Sequence, residues 1–249
     1  MTNQPNPPEN QLQVQHQPVF LLPAIVTVLC GLLVAVHLAR GFVLNEDASL
    51  QFTVWFAFIP IRLTAGNEIP GGLLPLLWTP FTHAFLHAGW DHLLVNTVWL
   101  AIFATPVARR YGAAPTVAIF LLGAATGAVA FAATTLPDLQ ILVGASGGVA
   151  ALTGAAVRFI FQPVMIAQHP ETGERIVLGR RLASLAGVFR NPPSRYFTLI
   201  WVVLNGAVPL LPLISGANIE IAWQAHLGGF FAGLLLVALF ERRPKGENS

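Results

Sequence analysis

The chain has 249 residues, of which 55% are hydrophobic and 10% are charged, with a formal net charge of +2. An average soluble domain is about one quarter charged, so this composition excludes an ordinary soluble enzyme and a disordered protein, and +2 leaves no electrostatic footprint for a nucleic-acid partner. The single cysteine, Cys30, excludes an internal disulfide.

Residues 1–18 are polar and proline-rich, without Lys or Arg. They read as a flexible cytoplasmic tail, not as a signal peptide, which carries positive charge ahead of its apolar stretch. Six apolar stretches follow, at 19–38, 92–108, 114–134, 147–161, 196–213 and 223–240. About 20 helical residues cross a bilayer core, so the chain reads as an all-α membrane protein with six transmembrane helices. The fourth stretch is short. Between the first two, residues 41–90 are rich in Pro, Gly and aromatics. They read as a long ordered loop in the membrane interface, amphipathic over 52–63. The membrane domain then runs over 19–241, and 242–249 form a second cytoplasmic tail.

Basic residues set the expected orientation. Arg109, Arg110, Arg158, Arg175, Arg180, Arg181, Arg190, Arg195, Arg242, Arg243 and Lys245 fall on one side of a six-span arrangement, and only Arg40 and Arg62 on the other. The expectation is that both termini lie in the cytoplasm. The arginines that close the spans also serve as rulers. At 1.5 Å per residue, Ser146 lies roughly 18 Å from Arg158, Asn96 roughly 20 Å from Arg109, His92 roughly 25 Å from Arg109, and His226 roughly 24 Å from Arg242. Three helices thus carry their odd polar groups in one layer below the outer boundary. Intramembrane polar groups are costly and mark function.

The residue types in that layer suit acyl transfer. Gly144-Ala145-Ser146-Gly147-Gly148 puts a serine where an extended segment gives way to a helix, whose first N–H groups and positive dipole end suit an oxyanion. Serine becomes a nucleophile only when a base takes its proton, and His226 is the histidine at matching depth on another late span. His92 and Asn96 are four apart, share a helix face, and both can donate to an oxyanion. The string also matches G-x-S-x-G, but that motif needs a strand–turn–helix in an α/β sheet, which this chain lacks. Gly229 and Gly233 follow His226 on one face. Ser146, Ala150 and Gly154 form a small-residue face on span four, and Gly123 and Gly127 on span three. Such faces let helices approach closely in lipid, so spans four and six are expected to touch there and bring Ser146 within hydrogen-bond range of His226.

These residues resemble the rhomboid family of intramembrane serine proteases. The family's HxxxN corresponds to His92 and Asn96, its preceding histidines to His83 and His87, its GxSG to 144–147, and its AHxxGxxxG to Ala225, His226, Gly229 and Gly233. The motifs are collinear and cover about 78–233. The resemblance implies a six-helix bundle of the bacterial form in an inner membrane, with the active site opening to the outer side. It implies Ser146 as nucleophile, His226 as general base, and His92, Asn96 and the Ser146 N–H as the oxyanion hole. Substrates would be transmembrane segments of single-pass membrane-anchored proteins. Span five and the loop over about 213–222 would be the gate and cap. No cofactor is implied. Two positions depart from the pattern. Thr79 follows Trp78 where the family often has Arg. Ala150 stands where the family often has a Tyr stacked on the base, so His226 must be oriented by another group or be looser.

Blander readings stand beside these. Serine in a glycine-rich span is usually a packing residue. His83 and His87 read as structural, and with no HExxH motif and no acidic residue within a span no metal site is expected. Asp91 reads as a cap for span two, Asn205 as a packing residue in preference to a gate or an interhelical contact, His37 and His169 as interfacial, and Trp55, Phe56, Trp78, Phe81 and Trp90 as interface anchors. The rival functions are an inactive rhomboid-like binder of transmembrane helices and a small transporter, against which the apolar inner half of every span speaks.

Overall fold

The computed structural model describes residues 22–168, 173, 175–210 and 221–241. Both expected tails, Arg242, Arg243, Lys245, His169 and most of the 213–222 cap lie outside the described residues.

Helix α1 (Ala24–Leu38) runs on through a π-helical turn over Ala39–Val43, which carries Arg40 on the helix rather than past its end. Helix α2 (Glu46–Phe56) starts at Asn45, whose side-chain oxygen accepts from the Ala48 N–H, with Glu46 and Asp47 at the positive end of the dipole. Two single turns follow, α3 (Arg62–Ala65) and α4 (Thr79–Thr82). Helices α5 (Trp90–Tyr111) and α6 (Ala113–Thr135) are joined at Gly112. Then come α7 (Ser146–Ile160), strands β1 (Val164–Gln168) and β2 (Arg175–Arg180), and helices α8 (Leu185–Arg190) and α9 (Pro192–Gly206). The last is α10 (Trp223–Leu236), with a 3-10 extension to Phe240.

Among the described residues, four helices are long and apolar enough to cross a bilayer: Ala24–Val43, Trp90–Tyr111, Ala113–Thr135 and Trp223–Phe240. The other two expected spans are shorter. Helices α7 and α9 have 15 residues each, about 22 Å at 1.5 Å per residue. The fifth stretch is α-helical to Gly206 and continues in a 3-10 turn over Val208–Leu210, and 211–213 lie outside the described residues. One short hairpin stands beside the helices. Strands β1 and β2 pair antiparallel, Val164 opposite Arg180 and Gln168 opposite Arg175. The Val, Ile and Leu of these two short runs favour strand pairing.

Helix α7 is buried along 147–159 and forms the axis of the bundle. Its neighbours come close because both sides lack side chains. A methyl at Gly229 would collide with the Gly147 carbonyl, one at Gly233 with the Ala151 carbonyl, and one at Gly154 with the Phe230 carbonyl. On the other side, Gly123 of α6 faces the Ala151 methyl, and a methyl at Gly127 would lie 2.7 Å from the Ala225 carbonyl oxygen. Spans four and six therefore touch as expected, but the α7 seam is Gly147, Ala151 and Gly154. Ser146 and Ala150, one residue round the helix, line the cavity described below.

Arginines tie the far ends of these helices together. Arg158 is buried, with Nε donating to the Ala183 carbonyl and one Nη to the Leu234 carbonyl, both at 2.8 Å. Arg110 pairs with Glu241 at 2.6 Å. On the 41–90 side, buried Arg62 donates to the carbonyls of Val54, Pro70 and Gly72 at 2.8–2.9 Å. One side chain thus knits α2 to the turns before α4. Trp78 donates from Nε1 to the Trp55 carbonyl at 2.8 Å.

Candidate functional site

The site begins with the strand-like segment that leads into α7. Leu142 and Phe58 exchange backbone hydrogen bonds of 2.8 and 3.1 Å. Two residues on, the Gly144 N–H donates to the His83 carbonyl at 3.0 Å, and the Ala145 N–H donates to Nε2 of His87 at 3.4 Å. Gly144 has φ +121°, and a methyl there would lie 2.6 Å from the His92 ring. Glycine is required both for the backbone and for the imidazole seated against it. The chain then turns into α7 at Ser146, with the first N–H groups of the helix lacking intrahelical acceptors.

His83 and His87 therefore hold the Gly144–Ala145 backbone, one through its carbonyl and one through its ring. Nδ1 of His83 donates to the Thr79 carbonyl at 2.9 Å. Burial pushes His83 from 6.5 down to about 4. Burial, helped by His92, His37 and Arg40, pushes His87 down to about 3. Both are neutral at pH 7, which His87 must be for Nε2 to accept. Between pH 6.5 and about 4 the unfolded chain binds protons at these sites that the folded chain refuses, so stability falls as pH falls through that window. The expected result is a lower thermal midpoint in detergent at pH 5 than at pH 7. The drop should shrink in His87→Gln, whose amide oxygen can accept from Ala145 without titrating. An equal drop in both proteins would show that His87 does not carry the effect.

Helices α5, α6, α7, α9 and α10, with residues 140–143, line an open cavity of about 910 Å³ on this side of the bundle. His92, Asn96, Ser146 and His226, singled out from the sequence by depth, all line it. So do Trp99, Trp201 and Asn205. The four polar groups thus share one cavity; of the arginines used as rulers, Arg158 is buried and Arg242 lies outside the described residues.

Ser146 and His226 face the same space, but among the described residues no hydrogen bond joins them. Such contacts commonly tighten only with substrate bound. The buried Asn96 uses one amide hydrogen on the His92 carbonyl at 2.9 Å. An amide nitrogen carries two, so one remains for a ligand. Asp91 does not cap α5. Gly89 holds the cap position without a side-chain bond, and Asp91 sits in the first turn, at the cavity edge.

Asn205, for which packing is the favoured expectation and an interhelical contact the alternative, makes the interhelical contact. Its Oδ1 lies 2.8 Å from Nδ1 of His226. The signal was an amide in an otherwise apolar stretch of α9, and only the antiparallel register of α9 against α10 gives it a partner. One turn along, Trp201 stacks on Phe230 with centroids 4.3 Å apart and planes 17° apart. Each step of four residues along α9 thus matches a step of four along α10.

A bundle of apolar helices with a cavity that a few polar side chains share defines a helical membrane protein. The Rhomboid domain profile matches residues 75–243, and the chain belongs to the rhomboid family. It is 25% identical over 169 residues to RHOMBOID-like protein 5 of Arabidopsis thaliana, covering 68% of this chain and 45% of that one. It is 26% identical over 170 residues to RHOMBOID-like protein 1 of the same plant, covering 68% and 36%. It is 36% identical over 81 residues to human Rhomboid-related protein 3, covering 32% and 19%. The chain spans less than half the length of each of these relatives.

Proposed function

We propose that the protein is an intramembrane serine endopeptidase that cuts transmembrane segments of membrane-anchored proteins. The observation that carries this is the meeting of Ser146, at the N-terminus of α7, with His226, near the start of α10, around one cavity. In the proposed reaction the Ser146 hydroxyl oxygen attacks the scissile carbonyl and Nε2 of His226 takes its proton. The developing oxyanion is received by the free Asn96 amide hydrogen, His92 and the Ser146 N–H. His226 returns the proton to the leaving amine, which departs and leaves an acyl-enzyme on Ser146. Water, deprotonated by His226, then hydrolyses the ester. No metal or cofactor enters this scheme.

The same reading takes α7 and α9 as short spans beside the four long ones. Six crossings then put both termini in the cytoplasm and open the cavity to the outer side of a bacterial inner membrane. Short α7 fits this placement. A helix that starts below the membrane boundary keeps Ser146 within reach of water while the substrate stays in lipid. His83, His87, Gly144, Gly147, Gly229 and Gly233 support the site through packing and backbone contacts and take no part in the chemistry.

Labelling by a serine-reactive fluorophosphonate tests the reading against an inactive binder of transmembrane helices. Covalent labelling of the purified protein that disappears in Ser146→Ala is expected. A folded wild-type protein that takes up no label, or a Ser146→Ala variant that labels equally, overturns it.

A further inference from the structure

The proposed mechanism asks His226 to present an unprotonated nitrogen to Ser146, and nothing on α10 itself enforces this. Position 150 is alanine, and among the described residues no aromatic ring packs on the His226 imidazole. A neutral imidazole free to turn or to exchange its proton between nitrogens spends much of its time unable to act as a base.

We infer that Asn205 is the positioning residue for His226, fixing the ring's orientation and tautomer from the neighbouring helix α9. This rests on the protease reading above and adds to it a third residue. The amide is oriented by its own helix. Its Nδ2 donates to the Trp201 carbonyl at 2.8 Å, which leaves Oδ1 as the group aimed at His226. An amide oxygen only accepts, so at 2.8 Å the His226 Nδ1 must carry the proton. The other nitrogen, Nε2, is then the one with a free lone pair, as required of a base toward serine. The stacked Trp201 and Phe230 rings hold the two helices at this spacing one turn below.

The partner's chemistry sets the size of the effect. A carboxylate at this position would orient the ring and also stabilise the imidazolium, whereas a neutral amide orients it alone. Asp91 is the carboxylate lining the cavity, and it makes no bond to His226. His92, the other titratable ring at the cavity, is a potential cation and gives no help to a protonated His226. The structure therefore gives His226 an anchor without a counter-charge.

The test measures the second-order rate constant of fluorophosphonate labelling at Ser146 across pH, in detergent, for wild type, Asn205→Ala and Asn205→Asp, with a thermal midpoint for each. Asn205→Ala is expected to label about 10- to 100-fold more slowly than wild type. Asn205→Asp retains the acceptor oxygen and should recover most of the rate. Its acidic limb should also move to higher pH, because an anion beside Nδ1 favours the imidazolium and a base must first lose that proton. A merely structural asparagine would move the thermal midpoint and leave the limb in place. If Asn205→Ala labels within twofold of wild type, or if Asn205→Asp neither recovers rate nor moves the limb, the assignment is wrong. Should Asn205→Ala fail to fold, the Asn205→Asp profile decides alone. Failure of the protease reading looks different, since the wild type itself would then not label.

Discussion

Ser146→Ala is expected to slow cleavage of a transmembrane reporter by at least about 10⁴-fold, and His226→Ala by a similar factor. Each removes one half of a unit that works only when both halves are present: a hydroxyl without a base is a poor nucleophile, and a base without a hydroxyl has nothing to activate. The double variant should therefore be no slower than the worse single variant, where independent contributions would multiply. Neither change should unfold the protein. The Ser146 hydroxyl has no hydrogen-bond partner among the described residues, and His226 makes one side-chain bond, to Asn205. The experiment is steady-state cleavage in proteoliposomes alongside thermal midpoints in detergent. Cleavage at wild-type rate by either single variant, or a double variant far below both, would dismantle the dyad.

The position of those two residues was legible in the sequence because membrane proteins spend polarity sparingly. In α7 and α10 polar residues are few, so a serine at the start of one and a histidine near the start of the other stand out. The glycines were legible for a related reason, since in lipid close packing, not water exclusion, joins helices. Their register was less so. A small residue at 146 or 150 reads the same as one at 147 or 151, and only the built helices show which line turns toward Gly229 and Gly233. Asn205 was visible as an oddity and its partner was not, because hydrogen bonding between α9 and α10 depends on how far one slides along the other. The work of Arg62 was hidden likewise: a lone arginine in a loop reads as a topology marker until its three carbonyl partners are in place. The β1–β2 hairpin leaves no mark in hydropathy. Its short Val- and Ile-rich runs contribute nothing to a 20-residue hydropathy pattern.

The seam between α7 and α10 gives the second large expectation. Gly229→Leu and Gly233→Leu should each destabilise the fold by at least about 3 kcal/mol. At Gly233 a new Cβ would sit 2.7 Å from the Ala151 Cα, and at Gly229 it would sit 3.1 Å from the Gly147 Cα. These obstacles are backbone atoms inside a buried helix, so no side-chain rotation relieves them, and the helices must separate. Gly31→Ala in α1 is the matched control. Nothing lies within 4 Å of a methyl there, and alanine in place of a helical glycine favours the helix by about 1 kcal/mol. Separation also acts on the chemistry, because Ser146 is adjacent to Gly147 on one helix and His226 lies one turn from Gly229 on the other. A displacement of about 1 Å between reacting groups costs on the order of 100-fold in rate. The milder Gly229→Ala should therefore keep its fold at low temperature yet label with fluorophosphonate at least about 100-fold more slowly than wild type. A Gly229→Ala protein with wild-type midpoint and wild-type labelling would mean that the seam does not set the distance between serine and histidine.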